Sequence, residues 1–318
     1  MRFYTNVQMI GNQFLVRGYD NGQHVMFREE YSPTLFVPSK KKTNHKTLEG
    51  DFVEPVKPGL VRDCKEFINK YQDVDGFSIY GNERFTYQYI SDKYPETEIK
   101  FDTSKIKLVT LDIEVAAENG FPDTESCSEE ILTITIQDYN TKKIITWGVK
   151  PFNNTQSNVT YHECTSEHHL LSSFMSFWTN DYPEVITGWN IQFYDIPYIC
   201  GRLGKVLGEK QRRMFSPWGM VTYREMFVHG RKQIFYEVNG ISQLDYLDLY
   251  KKFTYKAQES YRLDHIASVE LGQKKLDHSE FDTFKDFYTQ NWQKFVEYNI
   301  IDVELVDRLE DKMKLIEL

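Results

Sequence analysis

Cysteine is scarce in this chain. There are four in 318 residues (Cys64, Cys127, Cys164, Cys200), scattered and without CxxC spacing. That argues against a disulfide framework and against a zinc site. The eight histidines form no HExxH, and the adjacent His168 and His169 would point in different directions on a helix. No apolar run is long enough to span a membrane. The opening "MRFYTNVQMIGNQF" lacks the apolar core of a signal peptide, so the expected location is the cytoplasm. Positive charge is also in deficit. Lys and Arg number 38 against 47 Asp and Glu, a net charge of −9. This argues against broad, non-specific nucleic-acid binding. It leaves room for an enzyme that grips a strand end through bound divalent cations, which invert a local negative field. There is no internal repeat and no low-complexity tract.

What is present suits a globular protein of two domains: 40% hydrophobic, 27% charged and 15% aromatic residues. Residues 1–103 read as a small α/β domain. "RFYTNVQMIG" and "QFLVRGYDNG" form a hairpin region in which Asp20-Asn21-Gly22 is a strong turn signal. "PTLFVP" is a short strand, "KKKTNHK" a basic loop and "VRDCKEFINKYQ" a helix. The polar segment 91–107 marks the boundary, near Thr103. In 104–318, "IKLVTLDIEV", two strands within 130–149, "NVTYHEC" and "EVITGWN" read as strands. "SEHHLLSSFMSFWTND" reads as an amphipathic helix capped by Ser166, and 222–238 as a long hairpin with His229-Gly230 at its tip. "QNWQKFVEYNIIDVELVDRLEDKMKLIEL" is one long helical pattern that reaches Leu318 with no Gly or Asn stop signal. That predicts a chain continuing further in its native form. Strands interspersed with helices predict a mixed sheet with helices on its faces.

Carboxylates sit where apolar residues are expected. In "VTLDIEVAA" (109–117), Asp112 and Glu114 are two apart and share one strand face, while Val109, Leu111, Ile113 and Val115 hold the other. An isolated D-x-E of this kind more often lies on a solvated face. Asp302 interrupts the apolar stripe Phe295, Tyr298, Val306, Leu309 of the last helical pattern. Burying it unpaired would cost several kcal/mol; an ion pair or a cation would remove that cost. Tyr298 lies one turn earlier on the same side. Asp195 follows the strand and loop "ITGWNIQFY", at a position where Asp is also a favoured helix cap. Taken together, these oxygen ligands suit Mg²⁺ or Mn²⁺. Two such ions about 3.5–4 Å apart can clamp a phosphodiester.

"LDIE", "TGWNIQFYD" and "YNIID", in that order, resemble the three motifs of the DEDDy 3′–5′ proofreading exonucleases. "SQLDYLDLYKKFTY", "SYRLDHIA" and "EEYSPTLFVP" extend the resemblance over nearly the whole chain, to the N-terminal half of family-B DNA polymerases of T-even-like phages. The resemblance implies an RNase H-like α/β exonuclease domain over 104–318, behind a smaller N-terminal α/β domain. It implies that Asp112, Glu114, Asp195 and Asp302 hold two divalent ions and that Tyr298 orients the attacking water. Asp112 would bridge both ions, Glu114 and Asp302 would complete the tighter site, and Asp195 would act largely through water. It further implies that Asn190 contacts the terminal sugar, that Phe121 in "NGFPD" sits against the terminal base or sugar, and that Lys274 or Lys275 approaches the scissile phosphate. The substrate would be a single-stranded or frayed DNA 3′ end, held apart in part by the 222–238 hairpin. The implied partners are a polymerase domain and a replisome with its sliding clamp, in a phage-infected cytoplasm. None of the polymerase signatures "SLYPS", "DTD" or "KxxxNSxYG" is present, so this chain is not expected to polymerise DNA. An alternative is an RNA- or DNA-binding regulatory module, centred on the N-terminal domain and the lysines at 40–42 and 46, with little nuclease activity.

Overall fold

In the computed structural model, residues 2–81, 84–95, 99–118, 120–228, 231–273 and 279–317 are described. The chain divides into two compact units, Met1–Asp102 and Thr103–Leu318.

The first unit begins with an antiparallel meander of β1 (Arg2–Ile10), β2 (Gln13–Asp20) and β3 (Gln23–Glu30). Asn21 and Gly22 turn β2 into β3 with φ of 49° and 80°. This is the pair of left-handed residues that a two-residue hairpin demands, which is why an Asn-Gly pair stands there. A second small sheet pairs β4 (Leu35–Pro38) and β5 (His45–Lys46) on either side of β6 (Phe52–Val56). Helices α1 (Val61–Tyr71) and α2 (Phe85–Lys93) complete the unit. Phe14, Val16, Leu35, Val61, Phe85 and Tyr89 form its core.

The second unit is built on a six-stranded mixed sheet. Its strands are β7 (Leu108–Val115), β8 (Ile131–Asp138), β9 (Ile144–Gly148), β10 (Val159–Glu163), β11 (Val185–Gly188) and β14 (Ser242–Asp245). The spatial order is β10-β9-β8-β7-β11-β14. β7, β8 and β9 are antiparallel neighbours, while β10, β11 and β14 join in parallel. Between β10 and β11 lies α3 (Glu167–Asn180), where Ser166 caps the helix by accepting from the His169 N–H at 3.2 Å. After β11 come α4 (Asp195–Arg202), α5 (Glu209–Arg213) and a separate hairpin, β12 (Val221–Val228) with β13 (Arg231–Val238). The hairpin tip, His229-Gly230, lies outside the described residues. Among the described residues, four helices follow β14: α6 (Tyr246–Phe253), α7 (Leu263–Leu271), α8 (Phe284–Gln290) and α9 (Trp292–Met313). This is the mixed α/β architecture, a sheet flanked by helices, expected of an RNase H-like exonuclease domain.

Both faces of β7 are covered. Val109, Leu111, Ile113 and Val115 enter one core with Leu170, Phe174 and Trp178 of α3 and Ile196 and Ile199 of α4. Each such fully buried side chain contributes roughly 1.5–3 kcal/mol. On the face that carries Asp112 and Glu114, Ala116 and Leu132 pack with Phe295, Val296 and Ile300 of α9. The D-x-E face is therefore roofed by a helix rather than solvated.

The last helical pattern is one helix, α9, which starts at Trp292. Asn291 caps it by accepting from the Lys294 N–H at 3.1 Å. α9 stops at Met313, and Lys314 takes the left-handed conformation (φ 54°) usually left to Gly or Asn. Two contacts over-determine that turn: Leu315 is buried against α6 and α7, and the Ile316 N–H donates to Glu310 at 3.1 Å.

Candidate metal centre

β7 presents Asp112 and Glu114 toward α9, which returns Asp302 to the same place. One carboxylate oxygen from each lies within 4.8 Å of the others. Glu114 and Asp302 are 9% and 5% exposed, so little water screens them. At that separation and an effective dielectric near 20, two full charges repel by roughly 3 kcal/mol. The set thus offers three hard oxygen donors and an electrostatic cost that a divalent cation removes. Mg²⁺ bonds of about 2.0–2.1 Å need the oxygens to close by only about an ångström. The donor chemistry and geometry fit such an ion.

Asp195 is not one of these three and meets β7 through its backbone. It occupies the first turn of α4 but makes no cap; Tyr194 is the N-cap residue, without a side-chain bond. The Asp195 carboxylate instead accepts the backbone N–H of Ile113, at 3.1 Å, between Asp112 and Glu114. Burial pushes its carboxyl well above the ordinary aspartate range, with the Asp245 and Asp302 charges adding to the rise and the Ile113 N–H opposing it. Asp195 is therefore not the N-cap of α4, the alternative its sequence position left open. Its side chain is spent on the strand that carries the D-x-E pair.

The loop that delivers Asp195 is tightly specified. A Cβ on Gly188 would lie 2.4 Å from the Leu111 carbonyl oxygen, so only glycine lets the end of β11 approach β7 this closely. Asn190 adopts φ 67°, and its N–H donates to Asp245 at 3.0 Å. The Gln192 N–H donates to the other Asp245 oxygen at 3.0 Å, and the Leu247 N–H caps α6 on the first at 3.0 Å. Asp245 is 3% exposed, and burial raises its carboxyl to about 6. Sequence alone does not single it out. Its only signal is an Asp at a strand-to-helix junction, which reads as an ordinary cap.

Asn299 escapes the sequence motifs as well. Wholly buried on α9, it donates its amide N–H to Asp112 at 2.6 Å and accepts from the Thr135 hydroxyl of β8 at 2.5 Å. Thr135 in turn bonds Thr146 of β9 at 2.9 Å. A polar residue close to Ile300, Ile301 and Val303 is the one hint the sequence offers.

Beside the carboxylates opens a cavity of about 620 Å³, lined in part by Glu114, Phe121, Tyr194, Phe284, Lys285 and Tyr298. Phe121 is 86% exposed, its ring 5.3 Å from that of Tyr194. Tyr298 stands edge-on to Phe287 at 5.7 Å, one turn before Asp302. Lys274 and Lys275 lie outside the described residues.

A family model described as DNA polymerase family B, exonuclease domain, matches residues 77–266, more than half of the chain. The match stops before α9, which supplies Asp302. Two relatives cover that part as well. The DNA-directed DNA polymerase of Escherichia phage RB69 is 30% identical over 345 aligned residues, covering 99% of this chain and 38% of the relative. That of Enterobacteria phage T4 is 30% identical over 339, covering 98% and 37%. The DNA polymerase catalytic subunit of human herpesvirus 6A is 29% identical over 182 residues, covering 52% and 17%. The chain thus spans less than two fifths of the length of these relatives. With the mixed sheet, the three-motif order and the carboxylate cluster in place, the chain belongs to DNA polymerase family B, of which it carries the exonuclease domain.

Proposed function

We propose that the chain is the 3′–5′ proofreading exonuclease portion of a phage replicative DNA polymerase, with the N-terminal domain of that polymerase before it. The observation that carries the reading is the convergence of Asp112, Glu114 and Asp302 within 4.8 Å beside a cavity edged by an exposed phenylalanine.

In this reading the 3′-terminal nucleotide enters the cavity, with its base or sugar against Phe121 and the sugar within reach of Asn190. The scissile phosphate comes to the carboxylates. Asp112, Glu114 and Asp302 would hold divalent cations, Mg²⁺ or Mn²⁺, and Asp195 would act through water. When bound, such ions neutralise the phosphate and acidify a water. The protein's own groups do the rest. Asn299 fixes the Asp112 carboxylate, the Ile113 N–H fixes Asp195, and the Tyr298 hydroxyl aligns the attacking water. The water oxygen bonds to phosphorus as the bond to the 3′ oxygen of the preceding nucleotide breaks. One proton leaves the water for solvent, and the departing oxygen takes one up. The products are a deoxynucleoside monophosphate and a strand one residue shorter. Single-stranded or frayed ends are favoured because a paired end must first be unstacked, at a cost of a few kcal/mol.

The test is incubation of a 5′-labelled oligonucleotide with the protein and Mg²⁺, beside an Asp112→Ala variant. Stepwise shortening from the 3′ end that the variant loses supports the reading. Wild-type protein that leaves the strand intact in Mg²⁺ and in Mn²⁺ overturns it and favours a binding module.

A further inference from the structure

Among its described lining residues the cavity has one cation, Lys285. Its ammonium is held by a carboxylate oxygen of Glu118, and both side chains are nearly half exposed. The second Glu118 oxygen accepts from the Tyr288 hydroxyl at 2.7 Å, and that hydroxyl faces the Ala117 N–H at 3.4 Å. The segment between Glu114 and Phe121 is thus tied to α8. α8 in turn is fixed to the Tyr298 helix, with Phe287 packed on Phe295 at 5.4 Å and on Tyr298 at 5.7 Å. The Lys285 backbone is therefore positioned relative to the carboxylates, while the ammonium stays at the cavity rim. Lysine's hydrogen bond holds Glu118 below the ordinary carboxylate range, so the pair is fully charged.

An ion pair this exposed contributes little to folding. Its geometry matters more: a carboxylate oxygen occupies the one cation among the described residues at the mouth of a cavity suited to a polyanionic strand end. A cavity of this size is in the range that encloses one small ligand. With the terminal nucleotide inside, the rim faces the backbone of the adjoining nucleotides. A phosphate oxygen can replace the Glu118 oxygen on Lys285 and keep a charge-assisted hydrogen bond. Resting on the exonuclease reading above, we propose that Lys285 contacts the phosphate next to the scissile one on its 5′ side, and that Glu118 is its built-in competitor, so that this pair sets the affinity for the strand.

The test uses oligonucleotides with either all phosphates or a single neutral methylphosphonate at that linkage. Binding is read by fluorescence anisotropy in Ca²⁺, and shortening is read separately in Mg²⁺. Wild-type protein should lose about tenfold in affinity on the neutral linkage, the value of one charged hydrogen bond. Lys285→Gln should bind the all-phosphate strand about tenfold more weakly and lose nothing further on the neutral one. Lys285→Arg should restore the sensitivity, and Glu118→Gln should bind the all-phosphate strand more tightly than wild type. The proposal is overturned if Lys285→Gln remains as sensitive to the neutral linkage as wild type. It is also overturned if Glu118→Gln binds more weakly, since the pair would then be only a structural tie. Expected binding without any shortening in Mg²⁺ would remove the exonuclease reading and leave the lysine assignment standing.

Discussion

Asp302 shows how a single residue can serve a site at the expense of its fold. It is buried beside Asp112 and Glu114, so without a cation part of the repulsion of roughly 3 kcal/mol per pair is stored in the native state. Asp302→Asn should therefore raise stability in EDTA by on the order of 1–3 kcal/mol, read as a higher urea midpoint. Mn²⁺ should raise the midpoint of wild type more than that of the variant. A variant less stable in EDTA would count against a repulsive cluster. Asp245 supplies a second test. Its carboxyl is raised to about 6 against an ordinary 3.8, so its contribution to stability is full below about pH 4 and is lost as pH rises through 6. Relative to Asp245→Asn, the metal-free wild type should lose on the order of 3 kcal/mol between pH 4 and pH 7. A difference that stays flat over that range would contradict the assignment. These two residues also mark how much of the site can be read from sequence. Asp112, Glu114 and Asp302 are visible there because a strand period and a helix stripe make a misplaced charge stand out. Asp245 and Asn299 are not, because their partners lie 53 and 55 residues and 164 and 187 residues away in the chain.

Elements hold the site through a few long-range ties. Asn299 links α9 to β7 and, through Thr135, to β8 and β9. Asn299→Ala takes one hydrogen-bond partner from the buried Thr135 hydroxyl and one from the Asp112 carboxylate. The expected cost is about 1–3 kcal/mol of stability, together with a marked fall in exonuclease rate. A second tie is the buried pair of Glu167 on α3 and Arg202 on α4. Glu167 accepts from Arg202 Nε at 2.7 Å and from the Ile131 N–H at 2.9 Å. Arg202 donates to the Cys127 carbonyl at 3.0 Å. Arg202→Ala strands a buried carboxylate and should cost about 3–5 kcal/mol, whereas surface Arg62→Ala should cost little. Equal urea midpoints for the two variants would contradict the buried clamp. Element type is legible wherever a period runs uninterrupted, as in β7, α3 and the β12–β13 hairpin. Element ends are less so. Asn291 sets the start of α9 because its side chain caps the helix, and Lys314 ends α9 because Leu315 has a core to enter.

At the scale of the molecule, sheet order decides what the residues can do. β7 lies between β8 and β11, so its two carboxylates meet α9 on one face while Asp195 reaches its backbone from the start of α4. The order of strands is not written in periodicity. It depends on which apolar faces must be covered, and the motif resemblance anticipated the fold class but not the order. The central claim is that this convergence is a divalent-cation site. The most direct test is a crystal of the protein soaked in Mn²⁺, with anomalous scattering recorded near the manganese edge. Anomalous peaks are expected among Asp112, Glu114 and Asp302, lost in a crystal of Asp302→Asn or reduced to one. A wild-type map with no anomalous density between those carboxylates would contradict it.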